Sequence, residues 1–221
     1  RARAPTHFAP TLSGERIKVQ DLVGPAVGTL ALVALGGYLL GSIPFGVVIT
    51  RAAGAGDVRD IGSGNIGATN VLRTGKKGVA AATLLLDAGK GALAVWLALR
   101  FGADFAAPLA AVGAFAGHVH PLWLRFHGGK GVATLLGATF GFSPWGGLGF
   151  AVTWLLVAAV SRISSLGGML GGFGGALALL LAGRPMAAAT VALLSLWVLW
   201  THRANLARLR AGTEPRIGKS R

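Results

Sequence analysis

The sequence predicts an all-α, polytopic integral membrane protein. Of its 221 residues, 53% are hydrophobic and only 13% are charged, whereas soluble domains carry about 25% charged residues. The mean hydropathy is +0.64, and long apolar runs alternate with short polar loops. Strict alternation of apolar and polar residues is absent, so helices rather than a barrel are expected to satisfy the backbone within lipid.

The apolar runs predict about seven transmembrane helices with glycine-rich cytoplasmic loops. The runs lie at residues 26–50, 79–101, 106–124, 130–142, 145–161, 165–183 and 186–202. About 20 residues cross the hydrocarbon core, so we expect the short fourth run to be tilted or only partly inserted. The transmembrane domain is then 25–203, between an N-terminal extension at 1–24 on the non-cytoplasmic side and a basic cytoplasmic tail at 204–221.

Basic residues occupy alternate loops and so predict the orientation of the chain. They are Arg51, Arg59, Arg73, Lys76, Lys77, Arg125, Lys130, Arg162 and the arginines of the tail. The intervening loops at 101–108 and 143–147 contain no lysine or arginine. Because cytoplasmic loops are enriched in these residues, the basic loops are placed in the cytoplasm. The net charge of +14 suits membrane lipids as partners better than nucleic acid, since no nucleic-acid-binding signature is present.

The first cytoplasmic loop contains GSGNIG at 62–67, a formal match to a dinucleotide-binding pattern. That pattern has meaning only after a strand in a βαβ unit, which a helical membrane protein excludes. Glycines beside hydroxyls and amides also build backbone cradles for phosphate. Ser63 and Asn65 can donate hydrogen bonds, and Arg73 can hold phosphate oxygens bidentately. The alternative is a flexible turn between two helices, in which Arg73 only contributes to the positive charge of the cytoplasmic loops.

The second cytoplasmic loop, HGGKGVAT at 127–134, places Lys130 among glycines at a helix start. It is not a nucleotide-binding P-loop, because Leu124 and Gly131 stand where that motif needs a glycine and a Ser or Thr. Lys130 remains a credible point-charge ligand for phosphate. His118 and His120 have no carboxylate nearby in the sequence, so a hydrogen-bonding role is favoured over a metal site.

Three further groups of polar residues stand at or within apolar runs. Asp87 and Lys90 lie one helical turn apart inside the second run, and we expect them to pair or to reach polar neighbours, for function or for packing. Ser164 and Ser165 begin a helix, where plain capping is the alternative to a site role. In the tail, His202, Asn205 and Arg208 share a helical face; the alternative is an amphipathic helix on lipid headgroups.

Six motifs in order resemble the bacterial PlsY family of membrane acyl-phosphate:glycerol-3-phosphate acyltransferases. They are GSIPFG, DIGSGNIGATNVLR, DAGKG, GHVHPLWLRFHGGKGVAT, RISSL and HRANLARLRAGTE, spread over residues 41–214. The resemblance implies transfer of a fatty acyl group from acyl phosphate to the sn-1 hydroxyl of glycerol 3-phosphate. The products are 1-acyl-glycerol 3-phosphate (lysophosphatidic acid) and phosphate, in phospholipid biosynthesis. It also implies a multi-pass protein of the bacterial cytoplasmic (inner) membrane, with its site on the cytoplasmic face.

The resemblance also implies the roles of individual residues. The catalytic positions are Ser63, Arg73, Lys130, His202 and Asn205. The substrate-binding positions are Gly62, Gly64, Asn65, Gly67, Asn70, Gly128, Gly129, Gly131, Ser164, Ser165 and Arg208. The glycines around Lys130 are expected to bind glycerol 3-phosphate, and Glu214 is expected to be structural. No cofactor or metal is expected, and an enzyme that forms acyl phosphate is the expected upstream supplier.

Two other functions remain open at this point. A transporter of a phosphorylated anion uses the same kinds of cradle, although the nearly featureless outer loops favour an enzyme. A transferase acting on polyprenyl phosphates needs acidic residues for a divalent metal, and only Asp57 and Asp60 are candidates. The H-x-x-x-x-D dyad of acyl-CoA-dependent acyltransferases is missing, because Trp123 follows His118 and Arg125 follows His120 at that spacing. The proton acceptor is either His202 or an oxygen of a substrate phosphate, with substrate assistance favoured.

Overall fold

A computed structural model describes residues 19–101 and 104–218. This part of the chain contains helices and turns but no strand, which confirms the predicted all-α class. The α-helices are α1 (Val19–Gly41), α2 (Phe45–Ala52), α3 (Ala68–Val71), α4 (Lys77–Phe101), α5 (Ala107–Val119), α6 (Val132–Phe142), α7 (Pro144–Ser161), α8 (Ser164–Leu181), α9 (Pro185–Thr201) and α10 (Arg203–Arg210). The first helix begins at Val19, earlier than the predicted start at residue 26. The predicted extension therefore falls largely outside the described residues.

The helices differ in whether they can cross a bilayer alone. Four spans in the described part of the chain are long and apolar enough, namely Val27–Ala52, α4, α7 and α8. A fifth is present if α9 and α10, which meet at a bend of 62°, form one broken span. The predicted third and fourth runs form α5 and α6 of 13 and 11 residues, only roughly 16 to 20 Å long. The count of seven spans therefore stays a prediction.

Small residues let neighbouring helices pack closely. A methyl group at Gly41 of α1 would lie 2.1 Å from the carbonyl oxygen of Ala114 in α5, and one at Gly137 of α6 would lie 1.7 Å from that of Ala88 in α4. The tract GGMLGGFGG at 167–175 packs against α7, where a methyl at Gly174 would meet the Thr153 hydroxyl at 1.9 Å. Small residues at these positions therefore let the helix backbones approach closely.

A break between α1 and α2 directs the chain into the first basic loop. Pro44 precedes α2 and has no N–H to continue the helical ladder. The chain then runs through α2 into the segment that contains α3. This segment has a small core of its own, formed by Val47, Val58, Ile66, Val71 and Ala80. The first predicted cradle is therefore a folded unit on the end of the bundle rather than a flexible turn.

Candidate active site

Asn70 organises the first loop. Its side chain is buried, and its Nδ2 donates to the carbonyl oxygens of Val58, Ile61 and Asn65 at 2.8–2.9 Å. Its Oδ1 accepts from the amide of Ser63 at 3.1 Å. Asn70 thus fixes the main chain on both sides of the glycines and leaves the side chain of Ser63 exposed.

Arg73 lies against Gly62. The backbone of Gly62 is left-handed, with φ of 56°, and a methyl group there would lie 2.5 Å from Nη1 of Arg73. Gly64 is also left-handed, with φ of 69°, which favours glycine at both positions. Among the described residues no carboxylate pairs with the Arg73 guanidinium. Its five N–H donors are therefore available to an anion.

Within the same loop, Asn65 and Gly67 prepare the start of α3. The side chain of Asn65 accepts from the amide of Gly67 at 2.9 Å, and Gly67 is the N-cap residue of that helix. A short polar side chain that bonds two residues ahead is a common turn device. These two residues shape the cradle through the backbone.

Two other arginines of the loop are neutralised by one aspartate. Arg51 and Arg59 each approach the Asp57 carboxylate to 2.6 Å. Hydrogen bonds, above all from the Arg59 side chain, hold the pKa of Asp57 well below its usual range. A carboxylate committed to two arginines is a poor metal ligand, and the described residues contain no group of three or more His, Cys, Asp or Glu placed to hold a metal ion. This weakens the case for a metal-dependent polyprenyl phosphate transferase.

The second loop is hydrogen-bonded to the end of α5. The amides of Gly128 and Gly129 donate to the carbonyl oxygens of Val119 and His118 at 3.1 and 3.0 Å. Gly131 is the left-handed N-cap of α6, with φ of 86°, and a methyl group there would lie 2.1 Å from the ring of Phe115. These glycines therefore serve close packing as well as any approach of a ligand.

Lys130 projects from this loop towards the C-terminal segment. Its Nζ donates to Oδ1 of Asn205, and its carbonyl oxygen accepts from the Thr201 hydroxyl at 3.0 Å. Burial, followed by repulsion from Arg208, lowers the pKa of Lys130 to about 8; Arg73 acts in the same direction, while Glu214 opposes it. The structure thus brings the predicted residues of the first loop, the second loop and the tail into one electrostatic neighbourhood.

Glu214 holds the tail to the start of α8. Its Oε1 accepts from Ser165 at 2.5 Å and from Asn205 at 2.6 Å, and its Oε2 accepts from Nε of Arg208 at 2.7 Å. Burial alone would raise the pKa of Glu214, but these three hydrogen bonds outweigh burial and lower it. The carboxylate is saturated by protein donors, which suits the structural role expected for it.

Ser164 and Ser165 do not cap α8. Its N-cap residue is Ile163, and no side chain makes the capping hydrogen bond. The capping interpretation is therefore wrong, because the chain enters α8 one residue earlier than that interpretation requires. Ser164 is the half-buried first residue of the helix, and Ser165 serves Glu214.

His202 sits at the bend between α9 and α10 with only 3% of its surface exposed. Its Nδ1 lies 2.9 Å from the carbonyl oxygen of Val198. A carbonyl only accepts, so Nδ1 carries the proton and Nε2 keeps its lone pair.

Three contacts at this end of the bundle come from residues outside the predicted site. The pairing expected for Asp87 and Lys90 is confirmed, with Nζ and Oδ1 2.8 Å apart and both side chains buried. His118, considered for hydrogen bonding, packs beside Asp87 and Gly129. The role of Thr201 was missed; a threonine at the end of an apolar run carries no local signal that its hydroxyl will bond to a loop 71 residues earlier.

Comparison with known proteins gives one consistent result. The family model for glycerol-3-phosphate acyltransferase matches residues 31–212. The glycerol-3-phosphate acyltransferase of Ruegeria sp. (strain TM1040) is 58% identical over 183 residues, which cover 83% of this chain and 91% of the relative. That of Rhodopseudomonas palustris (strain HaA2) is 51% identical over 200 residues, covering 90% and 100%.

Two solved structures have the same fold. Both are crystal structures of PlsY (YgiH), an integral membrane glycerol 3-phosphate acyltransferase. The glycerol 3-phosphate form has a TM-score of 0.80 and 36% identity, over 86% of this chain and 96% of that chain. The lysophosphatidic acid form has a TM-score of 0.79 and 34% identity over the same shares.

Proposed function

The chain belongs to the glycerol-3-phosphate acyltransferase family, and we propose that its acyl donor is an acyl phosphate. The acyl group passes to the sn-1 hydroxyl of glycerol 3-phosphate, giving 1-acyl-glycerol 3-phosphate and phosphate. The protein is a multi-pass membrane protein. We place it in the bacterial cytoplasmic membrane with its site facing the cytoplasm, where the basic loops lie. An enzyme that forms acyl phosphate supplies the donor.

The observation that carries this proposal is the charge balance around Lys130. Three cations, Arg73, Lys130 and Arg208, act together there against the single carboxylate of Glu214. Burial is the first cause of the low pKa of Lys130, and repulsion from Arg208 and Arg73 lowers it further; a bound dianion relieves that repulsion. A phosphate monoester carries a charge of about −1.5 to −2 at pH 7. Both proposed substrates supply such a group.

Each loop then takes one phosphate. The ammonium group of Lys130 and the main-chain amides of Lys130 and Gly131, which follow the two amides bound to the end of α5, hold glycerol 3-phosphate next to Asn205. The unpaired guanidinium of Arg73, beside Ser63, holds the phosphate of the donor. Arg73 and Lys130 act on each other electrostatically, and we therefore place the two phosphates side by side.

The chemistry needs alignment more than activation. An acyl phosphate is a mixed anhydride, so the hydroxyl oxygen of glycerol 3-phosphate attacks the acyl carbon directly. The bond between that carbon and the phosphate oxygen breaks, and phosphate leaves with the electron pair. Arg73 and Lys130 stabilise the charge that develops on the leaving phosphate. No acyl-enzyme is formed.

The hydroxyl proton goes to a phosphate oxygen of a substrate. The Nδ1–H of His202 donates to the carbonyl oxygen of Val198 rather than to a carboxylate, so this hydrogen bond does not neutralise the imidazolium that a histidine base would form, whereas a phosphate oxygen with a second pKa of about 6 accepts a proton readily. The free Nε2 of His202 instead accepts a hydrogen bond and orients the acceptor hydroxyl. This supports substrate assistance over a histidine base.

A transporter of a phosphorylated anion is the second candidate, but the distribution of charge argues against it. Asp87 and Lys90 inside α4 are buried and paired with each other. They do not supply free charges along a path across the membrane, as a transport route would need.

The test is an assay of the purified protein with labelled glycerol 3-phosphate. Palmitoyl phosphate, palmitoyl-CoA and the palmitoyl thioester of acyl carrier protein are offered in parallel. We expect lysophosphatidic acid from palmitoyl phosphate alone. Equal product from a thioester contradicts the proposed donor, and binding of glycerol 3-phosphate without product from any donor favours the transporter.

A further inference from the structure

The ring of His118 lies directly beneath Gly129 in the second loop. A methyl group built on Gly129 would lie 2.1 Å from Nε2 of His118, and its next two contacts, at 2.9 and 3.0 Å, are also atoms of that ring. Gly129 is not left-handed, so its backbone conformation does not itself require glycine. The space taken by the His118 ring is what excludes a side chain at this position.

The other side of the His118 ring faces a buried carboxylate. Oδ1 of Asp87 lies 3.6 Å from Nδ1 of His118 and 2.8 Å from Nζ of Lys90. All three side chains are at most 3% exposed. The ring therefore stands between Asp87 in α4 and Gly129 in the loop.

Lys90 links this arrangement to the break between α1 and α2 as well. Its Nζ donates to the carbonyl oxygen of Ile43 at 2.8 Å, within the break from which α2 leads to the cradle of Arg73. The ion pair thus connects the supports of both loops. An ion pair in the membrane is costly unless its partners are fixed. Here Lys90 is held by the carbonyl oxygen of Ile43, and Asp87 faces the ring of His118.

We propose that Asp87 and His118 are positioning residues for the glycerol 3-phosphate cradle. Asp87 fixes the ring of His118, and the ring supports the main chain at Gly129, next to Lys130. The inference rests on the proposed function of this loop. It attributes the requirement for glycine at position 129 to the ring of His118 rather than to the bound ligand.

A double-mutant cycle separates these two reasons for Gly129. Gly129→Ala in the wild-type background is expected to raise KM for glycerol 3-phosphate by about tenfold or more, as for other residues that orient a ligand-binding group. In a His118→Ala background the methyl group has room, so the same change adds less than about twofold. If the ligand is what excludes the methyl group, the full penalty recurs in both backgrounds.

The positioning role of Asp87 is tested by measuring KM for glycerol 3-phosphate. Asp87→Asn keeps the shape but removes the charge that faces His118, and KM for glycerol 3-phosphate is expected to rise about tenfold while KM for acyl phosphate stays within about twofold. Since this change leaves Lys90 buried and unpaired, the double variant Asp87→Asn, Lys90→Gln removes both charges together. A lower Tm with an unchanged KM for glycerol 3-phosphate shows a merely structural role and overturns the inference.

The matched control is Gly147, near the start of α7, which faces Phe140 near the end of α6. A methyl group at Gly147 would lie 2.1 Å from Cγ of Phe140, a similar clash between a glycine and a ring. Gly147→Ala is expected to lower Tm without changing KM for glycerol 3-phosphate.

Wild-type protein that neither binds nor acylates glycerol 3-phosphate overturns the proposed function and this inference with it. Active wild-type protein in which the Gly129→Ala and His118→Ala penalties simply add overturns the inference alone.

Discussion

The ammonium group of Lys130 donates a hydrogen bond to the side-chain oxygen of Asn205, 75 residues further along the chain. The nitrogen of the same amide donates to Glu214 at 2.6 Å. One end of the Asn205 amide thus faces a cation and the other a carboxylate, which fixes its orientation. Through this amide the second loop is tied to the tail and, through Ser165, to α8.

The lowered pKa of Lys130 predicts a pH dependence. A lysine with a pKa of about 8 loses its proton as the pH rises through that value, and its attraction for phosphate is lost with it. We expect kcat/KM for glycerol 3-phosphate to be nearly constant up to about pH 7, to fall to about half near pH 8, and then to fall towards tenfold per pH unit. Initial rates from pH 6.5 to 10, corrected for spontaneous hydrolysis of the donor, measure this limb.

Lys130→Arg provides the control for that profile. A guanidinium stays protonated over this range, so the variant should have lower activity without the falling limb. The same limb in Lys130→Arg would assign it to another group.

Arg73→Lys is predicted to reduce kcat/KM by about 100-fold, comparable to the loss of one donor to a developing oxyanion. The charge is retained, but the two parallel N–H donors that fit a phosphate are lost. Arg59→Lys in the same loop is the matched control, since Arg59 is engaged by Asp57. Equal turnover of Arg73→Lys and wild type would remove Arg73 from the site.

Asn70→Asp is predicted to inactivate the enzyme while the helical bundle remains folded. The change replaces the donor nitrogen that faces three carbonyl oxygens with another oxygen. Each buried group left unsatisfied costs about 1–3 kcal/mol. We expect faster proteolysis within residues 53–75 and a loss of kcat/KM, with near-normal helical content by circular dichroism. Thr69→Ala, on the exposed neighbour, should show neither effect; normal activity of Asn70→Asp would contradict the organising role of Asn70.

Glu214→Gln is predicted to loosen the tail. The new amide nitrogen faces either Arg208 or Asn205, both of which donate, so at least one of the three hydrogen bonds is lost. We expect a lower Tm and a decrease in kcat/KM of about 10- to 100-fold, because Asn205 no longer has a fixed partner. Asp60→Asn removes an exposed carboxylate and controls for the change of charge. A Glu214→Gln variant with unchanged Tm and kinetics would show that the network does not support Lys130.

The features that follow from local pattern were predictable from the sequence. The apolar runs indicated the helices. The spacing of Asp87 and Lys90 indicated an ion pair, because residues one helical turn apart share a face. Glycines beside polar residues marked both loops, although the structure shows that Gly129 and Gly131 also make room for the rings of His118 and Phe115.

The contacts between distant segments were not predictable in the same way. The bond from Ser165 to Glu214 joins residues 49 apart, and no periodicity or motif encodes which hydroxyl a carboxylate will reach. The same holds for Thr201 and the carbonyl oxygen of Lys130. These contacts depend on how α8, α9 and the tail pack together. For that reason Ser165 resembled a helix cap in the sequence and serves as a donor to the tail in the structure.

The central claim is that the acyl group passes directly between two substrates whose phosphates share one cationic site. Exchange of labelled inorganic phosphate into palmitoyl phosphate, measured without glycerol 3-phosphate, tests it most directly. Direct transfer predicts no label in palmitoyl phosphate above the enzyme-free blank, while the same preparation forms lysophosphatidic acid once glycerol 3-phosphate is added. Label that enters palmitoyl phosphate at a rate comparable to turnover would reveal an acyl-enzyme and contradict the account.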